Sequence, residues 1–438
     1  MRILIVSFAF PPHNVIGAVR VGKLAKYLTR FGHDVRVLSA LDAPYPKGLP
    51  LEIPIENVTY TPWTRVDSPL RAAVTLRQRI RMQGRSRPTR NGNGTAAAPT
   101  HSAVARSWLA ERYQDVVCIP DENVGWLPSA AAAGRRIARE FRPQVIFASG
   151  KPWTSLVVAN RVAGSSGVPW VAEFRDPWGG NPYDRSSSRL RQRFDEWFSR
   201  RVASTASGVV TVTPPLADIY EKKYGKPAAV VMSGYDEEDQ PAVTASNGLR
   251  SDDRLWIAHT GSVYAYRDFT QLVRAMHRLG ERAKKMRVSL VGADPEGVEA
   301  ALNLATTLGV RDLFEVSEPV SRAESLHVQR SADVLLLATW NDPREHSFLP
   351  GKLFEYVGAR RPILLLGLVS GAAAQLVSSR SLGIALDDTD AIAAWLDARL
   401  AEKERSGRTA GPPEAGRRGL EFESQARLLE GFLERFAR

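Results

Sequence analysis

The chain has 438 residues, and among them are one cysteine, Cys118, and only seven histidines. A lone thiol cannot close an internal disulfide, and without clustered Cys and His no structural zinc or iron–sulfur site is expected. Cys118 is read as a buried core residue. No window approaches the run of about 18 apolar residues that a spanning helix needs, and Met1 leads into a short strand-like run rather than a basic then apolar leader. Integral-membrane and secreted readings lose most of their weight, and a cytoplasmic protein is expected. Neither G-x-G-x-x-G nor G-x-x-x-x-G-K-[ST] occurs at the first turn, which argues against a dinucleotide enzyme or a P-loop ATPase.

The composition, 44% hydrophobic and 24% charged, supports large cores, and at roughly 150 residues per domain the length predicts two or three domains. The net charge of +12 points to an anionic partner: nucleic acid, a phosphorylated small molecule or a lipid surface. Much of the excess is local, since Arg71, Arg77, Arg79, Arg81, Arg85, Arg87 and Arg90 crowd together. Within this region, 84–105 is rich in Gly, Pro, Asn and Arg and has almost nothing to bury. It is read as a disordered basic insertion.

Apolar runs alternate with helical periodicity along the rest of the chain. Strands are predicted over 2–7, 34–39, 144–149, 170–174, 208–213 and 228–233, with helices over 127–141, 154–163, 187–203 and 215–224. After a polar, turn-rich stretch a second array follows, with strands over 255–260, 287–291, 313–316, 334–338 and 363–366. The expected fold class is therefore α/β, two Rossmann-like doubly wound parallel sheets in tandem. The domains are placed at 1–233 and 255–410, joined by a linker at 234–254, with a C-terminal helix in 411–438 that could return to the first domain. Such sheets bind ligands at the carboxyl ends of their strands, so a cleft between the two is the default active site.

Several local patterns carry chemistry. Gly17, opening a helix, lets backbone N–H groups approach a phosphate, although a loop glycine that merely starts a helix is an equal alternative. Pro350-Gly351-Lys352-Leu353-Phe354-Glu355 opens another helix with free N–H groups and a cation, a plausible phosphate cradle. An ordinary surface ion pair between Lys352 and Glu355 is the competing reading. Asp388-Thr389-Asp390 has the D-x-D form of metal-dependent transferases, but it precedes a helix and is read as a cap. No metal is expected.

Taken together, Phe10-Pro11-Pro12 with Gly17, Phe31-Gly32-His33-Asp34, Ser233-Gly234-Tyr235-Asp236, Gly261 with Arg267, and the 350–363 helix resemble the GT-B nucleotide-sugar glycosyltransferases, specifically the retaining family four. The resemblance covers nearly the whole chain. It implies a donor bound mainly by the second domain through Gly17, Gly261, Arg267, Gly351, Lys352 and Glu355, with Glu355 on the nucleotide ribose. It also implies catalytic roles for Asp176, Arg267 and Lys352, and an acceptor side at Arg175, Asp176 and Trp178. The first acid of the family's E-x7-E motif is replaced by Ser347, and its arginine beside the glycine by Ser262. The implied activity is sugar transfer from a nucleoside diphosphate sugar to a glycan, lipid-linked or small hydroxyl acceptor, with no cofactor besides the donor. Separately, the arginines from Arg71 to Arg90 point to an anionic membrane surface as a further expected partner, on the inner face of the cell membrane, and nucleic acid is disfavoured. A nucleotide-sugar epimerase, or a non-catalytic polyanion-binding protein on a decayed transferase fold, stays open as an alternative.

Overall fold

The computed structural model describes residues 1–66, 117–178, 188–241, 253–263 and 266–438. The basic insertion read at 84–105 lies outside the described residues, as does 242–252 of the predicted linker.

Among the described residues the first array runs β1 (Arg2–Val6), α1 (Ile16–Arg30), β2 (Asp34–Ala40), β3 (Val58–Thr61), α2 (Leu127–Phe141), β4 (Val145–Gly150), α3 (Thr154–Ser166), β5 (Trp170–Phe174), α4 (Arg189–Ala203), β6 (Gly208–Thr211), α5 (Pro214–Tyr224) and β7 (Ala228–Val230). The second runs β8 (Leu255–Thr260), α6 (Thr270–Leu279), β9 (Met286–Val291), α7 (Pro295–Thr307), β10 (Phe314–Ser317), α8 (Arg322–Ser331), β11 (Val334–Ala338), α9 (Gly351–Ala359), β12 (Ile363–Leu366), α10 (Ala372–Ser379), β13 (Gly383–Leu386), α11 (Thr389–Ser406), α12 (Glu414–Arg417) and α13 (Phe422–Glu434).

The strands form two sheets, in the orders β3-β2-β1-β4-β5-β6-β7 and β10-β9-β8-β11-β12-β13. The described ladders are parallel, for example Ile5 opposite Val37 on one side of β1 and opposite Phe147 on the other. Two doubly wound α/β sheets are thus present, as the periodicity predicted. By its contacts the chain divides into two compact units, one of Met1–Val19, His33–Gly208 and Phe436–Arg438, the other of Arg20–Gly32 and Val209–Arg435.

Burial on both faces explains why the strands are nearly continuous apolar runs. In β11, Val334 and Leu336 enter one core with Leu255, Ile257 and Leu290, whereas Leu335 and Leu337 enter another with Phe354, Val357 and Leu365. In both sheets the chain order reverses beside the first strand, between β1 and β4 and between β8 and β11. These reversals leave crevices at the strand ends, where functional loops gather. Periodicity missed β3, α10 and β13. The last is an edge strand whose four residues are all only partly buried, so no strong apolar run marks it.

The start of the predicted linker differs from a solvated tether. Tyr235 and Asp236 are each 3% exposed, and the Tyr235 hydroxyl donates to Glu421 at 3.0 Å. Asp236 accepts from Lys26 at 2.6 Å and from the Tyr27 hydroxyl at 2.8 Å, with Lys23 also at 2.8 Å. Burial alone would raise the Asp236 pKa, but hydrogen bonds from Lys23, Lys26 and Tyr27 outweigh it and hold the carboxyl well below its ordinary range. Beside it, the Arg20 guanidinium donates to the carbonyls of Val231 and Met232 at 2.7 and 2.6 Å.

Removing one partner of a buried ion cluster strands the others, at a cost of about 3–5 kcal/mol. Asp236→Asn is therefore expected to lower unfolding free energy by that order in urea titrations. Because the folded carboxyl titrates below its unfolded value of about 4, its stabilisation is complete above that pH and is lost as pH falls. Wild-type stability should consequently decline more steeply than that of Asp236→Asn on acidification below about pH 5. Equal slopes would show that Asp236 carries no such stabilisation.

Candidate functional site

The carboxyl end of β8 is built around a close approach. Gly261 follows the strand with φ +90, and a Cβ there would lie 2.6 Å from the Lys352 ammonium nitrogen. The left-handed backbone calls for glycine, and the missing side chain leaves the space that the Lys352 ammonium occupies. His259, 3% exposed, underlies the loop, with Nε2 3.0 Å from the Gly261 carbonyl and Nδ1 2.9 Å from that of Leu336.

Lys352 sits in the first turn of α9, after Pro350 and Gly351. Pro350 offers no side-chain cap, so the helix amino terminus keeps donors for an external acceptor. Burial lowers the Lys352 pKa; Glu355 works against that and Arg267 adds to it, leaving the ammonium at about 8. No ion pair or hydrogen bond fixes this ammonium among the described residues. Arg267 is half-buried ahead of α6 and acts on Lys352 electrostatically, so two cations share one small region. Ser262, in the place the resemblance gives to arginine, is exposed.

Glu355 lies one turn along α9, but its ion pair is with Arg322 rather than Lys352. Arg322 stands at the start of α8, whose entry is set by a capping box between Ser321 and Glu324. Its other terminal nitrogen approaches Asp239 at 3.4 Å. Two turns along α8, the buried Gln329 donates to Thr260 at 2.9 Å and reaches Glu355 at 3.4 Å. Arg322 and Gln329 thus orient the carboxylate, and sequence reasoning missed both. The spacing over 322–330 reads as a helix, but its pairing with a helix some 30 residues away has no local signal. Ser347 contributes its backbone carbonyl, which accepts from the Thr213 hydroxyl at 3.2 Å.

In the first unit, Gly17 differs from the expectation of a bare phosphate approach. A Cβ there would meet the Arg175 guanidinium at 2.8 Å, so the missing side chain makes room for arginine. Arg175 is anchored at the end of β4 by hydrogen bonds to the Gly150 carbonyl at 2.9 Å and the Lys151 carbonyl at 2.5 Å. Asp176 follows it, half-buried just beyond β5. Trp178 corrects an expectation: its indole is 1% exposed and stacks on Trp153, with centroids 5.1 Å apart and planes within 1°. Phe198 meets it edge to face at 5.8 Å. A ring packed this way belongs to the core and has no face for a sugar.

Asp388 caps α11, accepting from the Ala391 N–H at 2.8 Å, while Asp390 pairs with Arg278 at 2.6 Å. Asp388 is the helix cap read from the sequence, and Asp390 is taken by a surface ion pair. Among the described residues no group of three or more His, Cys, Asp or Glu is arranged to hold a metal ion.

Gly261→Ala should destabilise the fold by about 1–3 kcal/mol, the cost of a strained left-handed residue, with the Lys352 side chain displaced as well. Urea denaturation reads the first effect. An unchanged midpoint would show that the left-handed backbone at 261 carries no such strain.

Residues 120–236 match the family described as glycosyl transferase 4-like domain. No curated protein sequence matches the chain. Among solved structures, Anabaena HepE in complex with UDP-glucose is similar over 99% of this chain and 100% of its own, at TM-score 0.61 and 12% identity. Sucrose-phosphate synthase from Thermosynechococcus elongatus aligns over 99% of this chain and 98% of its own, at 0.63 and 16%. WaaG, a glycosyltransferase involved in lipopolysaccharide biosynthesis, aligns over 98% and 99%, at 0.54 and 15%. The chain has the GT-B fold of these glycosyltransferases, and its residues 120–236 are similar to the glycosyl transferase 4-like domain.

Proposed function

We propose that the protein transfers a sugar from a nucleoside diphosphate sugar to a hydroxyl acceptor with retention, in the synthesis of a glycan, polysaccharide or glycolipid. The observation that carries this reading is the Lys352 ammonium, half-buried beside Gly261 at an uncapped helix terminus and bound by no carboxylate among the described residues. A cation desolvated without a partner is costly to maintain, and an anionic ligand would offset that cost. HepE in complex with UDP-glucose, a protein of the same fold, supports a nucleotide-sugar donor.

The donor is assigned to the second unit and the acceptor to the first. The bond from the anomeric carbon to the departing phosphate oxygen breaks, and its electron pair stays on the diphosphate. Lys352, Arg267 and the α9 amino terminus neutralise that charge as it develops, which is where fixed positive groups accelerate transfer most. Glu355, oriented by Arg322 and Gln329, accepts hydrogen bonds from the ribose hydroxyls. Asp176 orients the acceptor hydroxyl or takes its proton as its oxygen bonds to the anomeric carbon. With this charge supplied by side chains, the proposal needs no cofactor besides the donor. A cytoplasmic protein working beside the membrane suits an acceptor carried on lipid.

Purified protein incubated with a panel of nucleotide sugars should show thermal stabilisation by one of them and transfer to a hydroxyl acceptor. Isomerisation of the donor sugar without transfer would instead identify an epimerase. The Lys352 cation is lost as pH rises through about 8, so nucleoside diphosphate affinity should fall between pH 7 and 9, and Lys352→Arg should abolish that fall. A pH-independent affinity in the wild type would remove Lys352 from the phosphate site.

Two carboxylates should separate by kinetics. Glu355→Gln is expected to weaken donor binding more than about threefold, roughly 0.7 kcal/mol. Asp176→Asn should lower the transfer rate while leaving donor affinity intact. Equal losses of both in Asp176→Asn would make that residue structural.

A further inference from the structure

Helix α4 has a face that its own unit leaves in water. Its inner side is fixed: Ser199, Val202 and Ala203 are buried, and Arg191 donates to the Pro120 carbonyl at 2.9 Å while pairing with Asp195 at 2.8 Å. At 100° per residue, Leu190, Phe194, Trp197 and Arg201 fall on a single stripe opposite, with Arg193 and Arg200 alongside. Leu190 is 78% exposed and Trp197 55%. The Phe194 ring lies 5.5 Å from Trp197 and 5.7 Å from Phe198, so the exposed indole rests on a packed aromatic base and loses little entropy on docking.

Charge on this helix is one-sided. Five arginines face two acids, Asp195 and Glu196. Asp195 is taken by Arg191, and Glu196 pairs with Arg200 at 3.0 Å. Arg189, Arg193 and Arg201 have no carboxylate partner among the described residues. Apolar side chains at the centre of a basic face are the pattern of helices that lie in a lipid interface, with tryptophan at headgroup depth and guanidinium groups on phosphates. The Ser188 side chain caps the helix by accepting from the Arg191 N–H at 3.2 Å, so the face is formed before any partner arrives.

We infer that α4 docks the protein on an anionic lipid bilayer, with Leu190, Phe194 and Trp197 entering the headgroup boundary and Arg189, Arg193 and Arg201 contacting lipid phosphates. Among the described residues no helix is long and apolar enough to cross a membrane, and attachment through α4 is peripheral. The inference does not depend on the donor chemistry, and it uses none of the basic stretch 84–105.

Cosedimentation of the full chain with vesicles tests it. The wild type should pellet with phosphatidylcholine vesicles containing phosphatidylglycerol, weakly with phosphatidylcholine alone, and less as salt screens the arginines. Leu190→Gln with Trp197→Gln should weaken binding by about tenfold or more, since apolar area drives insertion. Arg193→Gln with Arg201→Gln should reduce the preference for anionic vesicles. Both variants alter exposed side chains and should keep the wild-type thermal midpoint. Failure of the wild type to bind anionic vesicles at low salt, or undiminished binding by the Leu190 and Trp197 variant, would overturn the inference. So would a wild-type dimer that the same variant dissociates without change in vesicle binding, because the face would then be a contact between copies.

Discussion

A parallel strand buried on both faces has little room for polar chemistry along its length, and the placement of this protein's polar clusters follows from that constraint. Residues such as Ile3 to Val6 and Val334 to Leu337 are consumed by the cores above and below each sheet. Charged and hydrogen-bonding groups are displaced to the strand ends, where helix termini supply complementary partial charge. Gly261 after β8, and Arg175 after β5 with its anchors at the end of β4, stand at such ends.

At these ends the protein tolerates arrangements that would be costly elsewhere. Lys352 is desolvated next to another cation and pushed down to about 8, which a structural lysine would avoid by pairing with a nearby acid. Glu355 is within reach on the same helix, yet Arg322 holds it. This division of partners leaves the ammonium without a carboxylate among the described residues and gives the Glu355 carboxylate a fixed direction. Arg322 also contacts Asp239, which pairs with Lys23, so the orientation of Glu355 extends into the buried ion cluster around Asp236.

That cluster shows how a segment of linker-like composition can become rigid. Gly234 to Pro241 is polar and turn-rich, the composition of a solvated connection. Lys23, Lys26, Tyr27 and Arg30 on α1 convert its carboxylates Asp236, Glu238 and Asp239 into anchors, and a phenylalanine backbone at 422 packs where a Cβ on Gly234 would sit, at 2.6 Å. Composition describes what a segment can do in water. Partners distant in sequence decide whether water is present.

Element type and order were legible in the residues because burial pattern is a local property: α2, β5, β8, β11 and β12 begin and end where periodicity places them. The glycine at 261 and the Pro350-Gly351-Lys352 helix start were legible for the same reason, since each is a short motif with its own backbone requirement. Tertiary structure decided the rest. Whether Gly17 faces a phosphate or Arg175, whether Trp178 offers a ring or packs it on Trp153, and whether Glu355 pairs with Lys352 or Arg322 all depend on side chains brought together from separate strands and helices. Long-range packing fixes those choices, and no spacing along the chain encodes it directly.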